Sequence, residues 1–213
     1  MASNTQPPQI SYLDEIMRKG IHLSSLWMVV AIILIPQWYL TAALFAILLA
    51  ITVVFEHAYA CNWPIMASMY GFFFRKMLRK APAPNAWIVS GGAYVLAAAM
   101  LVTILYSPLA AAGGLAVMLT GDAAAALIGR KFGRHKAPNN KSYEGFIAFI
   151  IAGAIALTIL FAATGAPGKF YLAGFLALLP AAVAELFEKQ LHLDDNFSIP
   201  LIVGFALQLA SLL

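Results

Sequence analysis

The sequence predicts an all-α integral membrane protein of about seven transmembrane helices, with an interfacial helix between the second and the third. Three observations predict it. Of 213 residues, 62% are hydrophobic and only 10% are charged, whereas soluble domains are nearer half apolar and a quarter charged. The mean hydropathy is +0.85. Apolar runs also recur along the whole chain, and the short segments between them carry mostly positive charge.

A bilayer core needs about twenty helical residues at 1.5 Å each. Such runs fall at Ile21–Ile35, Trp38–Phe55, Trp87–Tyr106, Leu109–Ile128, Phe146–Thr164, Phe170–Leu186 and Ile199–Leu213. The first is short, but the amphipathic approach "SYLDEIMRKGIHL" extends it. Pro36, Pro108 and Pro167 fall in the turns, where proline is expected. Between the second and third runs, within residues 61–86, "CNWPIMASMYGFFFRKMLRK" is too short in its apolar part to span. Its aromatic-then-basic order suits a helix lying in the interface. Residues 1–10, with Pro7 and Pro8, read as a disordered tail. Residues 11–213 read as a single transmembrane catalytic domain, without a soluble domain or internal repeat.

A cleaved signal peptide is excluded, because no small-residue cleavage site separates the first run from the second. The net charge of +4 does not point to nucleic acid, since the basic residues form short clusters between spans. Cys61, the one cysteine, excludes an intramolecular disulfide and reads as a free buried thiol. Arginine and lysine lie before the first run, between the second and third, between the fourth and fifth, and after the sixth. The opposite loops contribute only Lys169. The bias puts the N-terminus in the cytoplasm and the C-terminus outside, in a multi-pass protein of the cell inner membrane.

On that topology the unusual polar groups converge on the cytoplasmic side. In "EIMRKGIH", Glu15, Arg18 and His22 share a helical face at i, i+3 and i+7, with Lys19 beside them. Glu56 and His57 close the second run. Asp122 lies about two turns, roughly 9 Å, inside the end of the fourth, where a charge costs about 2.5–3.5 kcal/mol. It is expected to bind Mg²⁺, a hard cation that takes carboxylate oxygens and substrate phosphates, assisted by Asp194 or Glu185. The stretch "GRKFGRHKAPNNKSYEG" combines five cations with a helix start, a ready anion site. Arg130, Lys131, Lys141, Ser142 and the helix amides there are expected to hold a triphosphate. Arg18 and Lys19 would neutralise a transferring phosphoryl group, and Asp195 or His22 would accept the proton of an alcohol. Asp195, Asn196 or Ser198 would also serve as a helix cap in "DDNFSIP". P-loop, zinc-protease and serine-nucleophile signatures are absent.

Four stretches in order, "EIMRKGIH", "GDAAAALIGR", "KSYEG" and "DDNFSIP", resemble the polyprenol kinase family of dolichol kinases, phytol kinases and CTP-dependent diacylglycerol kinases. The resemblance implies Mg²⁺- and CTP-dependent transfer of a γ-phosphoryl group to a polyprenol, a phytol-like isoprenoid or diacylglycerol. It points at Arg18, Lys19, His22, Asp122, Lys141, Ser142, Glu144, Asp194, Asp195 and Asn196. The block from Gly129 to Gly145 also resembles phosphatidate cytidylyltransferases, although the "DDNFSIPL" ending favours the kinases. A small transporter is disfavoured, because transporters place coupling residues near the midplane. The implied partners are a nucleoside triphosphate, a lipid alcohol and membrane lipids.

Overall fold

The computed structural model describes residues 11–61, 63, 90–137, 139, 141–191 and 194–213. The predicted tail 1–10 lies outside the described residues, as does the predicted interfacial segment 61–86 apart from Cys61 and Trp63. Among the described residues the regular structure is helical: α1 (Tyr12–Ser24), α2 (Trp27–Leu34), α3 (Trp38–Ala60), α4 (Gly91–Leu105), α5 (Pro108–Phe132), α6 (Tyr143–Thr164), α7 (Gly168–Leu186), α8 (Glu188–Leu191) and α9 (Asp195–Leu212).

Among the described residues six segments are long and apolar enough to cross a membrane: α1 with α2 as one 23-residue segment, then α3, α5, α6, α7 and α9. The remaining apolar helix, α4, has 15 residues and reaches only about 22 Å, short of a hydrocarbon core of about 30 Å. Residues 87–89 of the run predicted to begin at Trp87 lie outside the described residues; α4 starts at Gly91, where Ser90 caps it by accepting the Ala93 amide on its hydroxyl. Elsewhere the helices run past their apolar stretches into polar sequence. Caps fix those starts: Ser142 for α6, and Asp194 for α9. Cys61 is exposed rather than buried, with its sulfur 3.6 Å from His57 Nε2, since it falls just beyond the end of α3.

α5 is the central helix. Within its apolar window 72% of residues are buried, against 17–50% in the other five spans. It packs against α1, α2, α4, α6 and α9. Its inner residues are small: Ala110, Ala111 and Ala112 are fully buried with Leu115, Val117 and Leu119. Without a hydrophobic drive between helices in lipid, such small side chains allow the close backbone approach that association requires. Gly114 shows the limit, because a Cβ there would lie 2.5 Å from the Pro200 carbonyl of α9. By contrast, Ile147, Ile151, Ile155 and Ile159 form an exposed stripe at four-residue spacing along α6, the face a helix offers to lipid tails.

Candidate functional site

The first turns of α1 bring charge to the middle of the bundle. Ser11 caps this helix, its hydroxyl accepting the Asp14 amide, which sets Glu15, Lys19 and His22 toward α5. The Lys19 ammonium, on a residue only 3% exposed, donates to Asp122 Oδ2. His22 Nε2 lies 3.2 Å from the same oxygen, off the line for a hydrogen bond, while the ring also bonds the backbone of Met118. Arg18 is partly buried and donates to Glu15, which also lies 3.6 Å from Arg130. Arg130 therefore ties the end of α5 to α1.

A second group forms where the α5–α6 connection docks on the end of α7. Lys136 and Ser142 make an isolated antiparallel bridge, and the Ala137 amide donates to the Lys141 carbonyl at 3.0 Å. At the tip Asn139 takes a positive φ of 62°, a conformation asparagine tolerates better than most residues. Its side-chain amide donates to the Leu186 carbonyl at 2.8 Å and to Gln190 Oε1 at 2.7 Å. Lys141 then reaches Glu185: its ammonium donates to Glu185 Oε1 at 2.7 Å, to the Glu185 carbonyl and to Glu188 Oε2 at 3.1 Å. Burial works to lower the Lys141 pKa, but the charges of Glu185, Glu188 and Asp195 outweigh it and hold the ammonium above the ordinary lysine value.

The two groups meet at one acidic point. Carboxylate oxygens of Asp122, Glu185 and Asp195, from α5, α7 and α9, all lie within 4.8 Å of one another. Asp194, expected among the metal ligands, is exposed and caps α9 instead. It accepts the Asn196 amide at 3.0 Å and the Asn196 side chain at 2.6 Å. The register of the cap decides this, since the next residue, Asp195, is the one turned inward. Asn196 is shared between the two aspartates, with its side-chain nitrogen 3.3 Å from Asp195 Oδ1.

The helix end that the sequence offers to phosphate is already occupied. At the start of α6 the Tyr143 amide donates to the His135 carbonyl, and the Gly145 amide to Ser142 Oγ. Ser142 is buried and wedged against α5, where a Cβ on Gly133 would lie 2.6 Å from its hydroxyl. Glu144, expected at the nucleotide, accepts the His135 amide at 3.1 Å and pairs with the His135 ring at 2.7 Å. It thereby latches the loop. Lys131 is exposed and lies over the Phe132 ring at 5.2 Å. The roles of Glu188 and Asn139 were not assigned from sequence. For Asn139, an asparagine pair after a proline is a turn signal that could have been read. The Met118 carbonyl leaves no sequence signal.

These features define a class: a multi-pass helical membrane protein with carboxylates and ammonium groups gathered among its helices at one end. Over 184 residues the chain is 25% identical to an uncharacterized protein of Rickettsia prowazekii (strain Madrid E), covering 86% of this chain and 88% of that protein. It is 35% identical over 92 residues to a probable phytol kinase 2, chloroplastic, of Oryza sativa subsp. japonica, covering 39% of this chain and 30% of that protein. An uncharacterized protein of Methanocaldococcus jannaschii is 33% identical over 93 residues, 43% of this chain and 44% of that protein. The chain thus spans less than half the length of the latter two. No family model and no solved structure matches. The partial match suggests a phytol kinase-like relationship and a kinase-like lipid function.

Proposed function

We propose that this chain is a lipid kinase that uses Mg²⁺ and transfers the γ-phosphoryl group of CTP to the hydroxyl of a polyprenol, a phytol-like isoprenoid or diacylglycerol. The observation that carries this reading is the meeting of Asp122, Glu185 and Asp195 from three helices beside the ammonium groups of Lys19 and Lys141. The likeness to a probable phytol kinase supports it, and the choice of CTP follows the resemblance of the four motifs. In this reading α4 completes seven crossings, an interfacial helix precedes it, and the N-terminus and the acidic cluster face the cytoplasm, where the loop cations collect.

The donor set fits a hard divalent cation: three carboxylates supply oxygen only, the chemistry Mg²⁺ takes. Carboxyl groups also outnumber ammonium groups here, with Asp122, Glu185, Glu188 and Asp195 facing Lys19 and Lys141. Asp122, Glu185 and Asp195 would hold the ion, which when bound would offset the charge of the phosphate oxygens.

Phosphoryl transfer asks a protein mainly for positioning and charge. Lys19, seated against Asp122, and Arg18 one residue earlier bring positive charge to the transferring group. Lys141 faces the same acids, and Arg130, Lys131 and Asn196 line the approach for the nucleotide. As the alcohol oxygen bonds to the γ-phosphorus and CDP departs, the hydroxyl proton passes to His22 Nε2. That atom is favoured over Asp195 because it lacks a hydrogen-bond partner, whereas Asp195 belongs to the acidic set.

Purified protein incubated with Mg²⁺, CTP and a panel of long-chain alcohols tests the proposal. Label from γ-labelled CTP is expected in the lipid product. Label from α-labelled CTP would instead mean cytidylyl transfer, and no labelled lipid from any alcohol would refute the kinase.

A further inference from the structure

Two of the three acids that would hold a divalent ion already have a positive partner. Asp122 Oδ2 accepts the Lys19 ammonium and lies 3.2 Å from His22 Nε2. Glu185 Oε1 accepts the Lys141 ammonium at 2.7 Å. Asp195 has the neutral side-chain amide of Asn196 at 3.3 Å. An ion entering this cluster therefore meets other cations on the same carboxylates, and their arrangement decides how readily it binds.

The two lysines are not equivalent. Lys141 donates to Glu185 Oε1, to the Glu185 carbonyl and to Glu188 Oε2. If the Glu185 carboxylate turns to an ion, the carbonyl and Glu188 still hold the Lys141 ammonium. Lys19 has one acceptor among the described residues, Asp122. Glu15, one turn back on α1, is taken by Arg18 and lies 3.6 Å from Arg130. The Lys19 side chain is only 4% exposed, so water does not replace a lost carboxylate.

A divalent ion on Asp122 has to share that carboxylate with Lys19 or leave the ammonium uncompensated. Either course weakens binding of the ion alone, by repulsion in the first case and by a stranded buried charge in the second. A triphosphate removes the conflict. Its oxygens bind the ion, since Mg²⁺ is commonly held by carboxylates and substrate phosphates together. They also accept from an ammonium, which carries three donors on a flexible stem. Lys19 starts one hydrogen bond away from Asp122, beside the place where such an ion and its phosphate bind. A pair that only joined α1 to α5 would need no further acids, whereas Glu185 and Asp195 bring oxygens within 4.8 Å of Asp122.

We propose that Lys19 makes the two ligands of this site interdependent: it opposes a divalent ion bound alone and turns to the phosphates when the ion binds with a triphosphate. This rests on the lipid-kinase reading and describes how that site is loaded, with the metal–nucleotide complex favoured over the free ion.

The test is two binding measurements on the full chain in nanodiscs without lipid alcohol, for the wild type, Lys19→Met and Lys19→Gln. Mn²⁺ alone is followed by electron paramagnetic resonance, and α-labelled CTP and ATP, with excess Mn²⁺ or with chelator, by filter binding. Lys19→Gln keeps a donor toward Asp122 without the charge, and serves where Lys19→Met fails to fold. Loss of the ammonium is expected to tighten Mn²⁺ alone by about tenfold and to weaken the manganese–nucleotide complex by about tenfold, within the usual range of coupling between sites. The opposite signs are diagnostic, because a residue that merely held the fold would lose both. In the wild type, Mn²⁺ is expected to tighten triphosphate binding by about tenfold or more. Shifts of the same sign, no shift, or wild-type triphosphate binding indifferent to Mn²⁺ overturn the proposal. If the shifts oppose as expected but no alcohol is labelled from γ-labelled CTP or ATP, the coupling stands and the kinase reading fails. If label is transferred but Mn²⁺ alone binds the variants no more tightly than the wild type, the kinase reading stands and the coupling fails.

Discussion

Replacing Lys19 by methionine removes the ammonium from Asp122 and leaves the carboxylate in place. The pair is nearly sealed, with side chains 4% and 12% exposed. Breaking one partner of a buried pair costs about 3–5 kcal/mol, because the other charge stays uncompensated. His22 lies 3.2 Å from the same oxygen and softens the loss, which places Lys19→Met near the lower figure. Asp122→Leu strands the ammonium and costs a similar amount. The double variant buries no charge from this pair. Replacing a whole buried pair by apolar side chains is often neutral, so it returns to within about 1 kcal/mol of the wild type. The coupling energy of the cycle is then about 3 kcal/mol or more, at the top of the usual range. Unfolding in mixed dodecyl maltoside and SDS micelles, followed by circular dichroism, measures it. Additive single effects would refute the reasoning, since they would mean that the two charges do not compensate each other inside the bundle.

Asp122→Asn keeps the shape of the side chain and is expected to lower phosphoryl transfer by about 100-fold or more; turnover near the wild-type rate in the labelled-CTP assay would remove Asp122 from the reaction. The raised pKa of Lys141 means its pairing contributes stability that is full below the unfolded lysine value of about 10.4 and is lost as pH rises through the folded value. Above about pH 10.5 the wild type should therefore lose stability faster than Lys141→Met in pH-dependent melts. Gly114→Ala drives a methyl to 2.5 Å from the Pro200 carbonyl and is expected to destabilise the α5–α9 contact by about 1–3 kcal/mol, read in the same micelle unfolding assay.

Hydropathy made the spanning helices legible, because a bilayer needs long apolar runs whatever the tertiary contacts are. It misplaced their ends. α9 begins at Asp195, four residues before its apolar run at Ile199, and α6 at Tyr143 rather than Phe146. A cap side chain sets where a helix starts, and polar residues continue the helix as well as apolar ones do. Clustering of the acids and bases was legible from their position at span ends, but their pairing was not. Whether Asp194 or Asp195 turns inward depends on the register of one cap, and whether Lys141 meets an acid depends on how its hairpin docks on α7. Those choices are made by packing between segments distant in sequence. The same holds for Ser142 and Glu144, whose polar atoms are consumed by the loop that carries them.

The central claim is that acids from three helices form one divalent-cation site, and Mn²⁺ titration of the purified protein followed by electron paramagnetic resonance tests it most directly. A single site is expected, lost in Asp122→Asn, Glu185→Gln and Asp195→Asn and kept in Asp194→Asn, where asparagine still caps α9. Wild-type protein that binds no Mn²⁺, or a site lost with Asp194 and indifferent to Asp195, would contradict it.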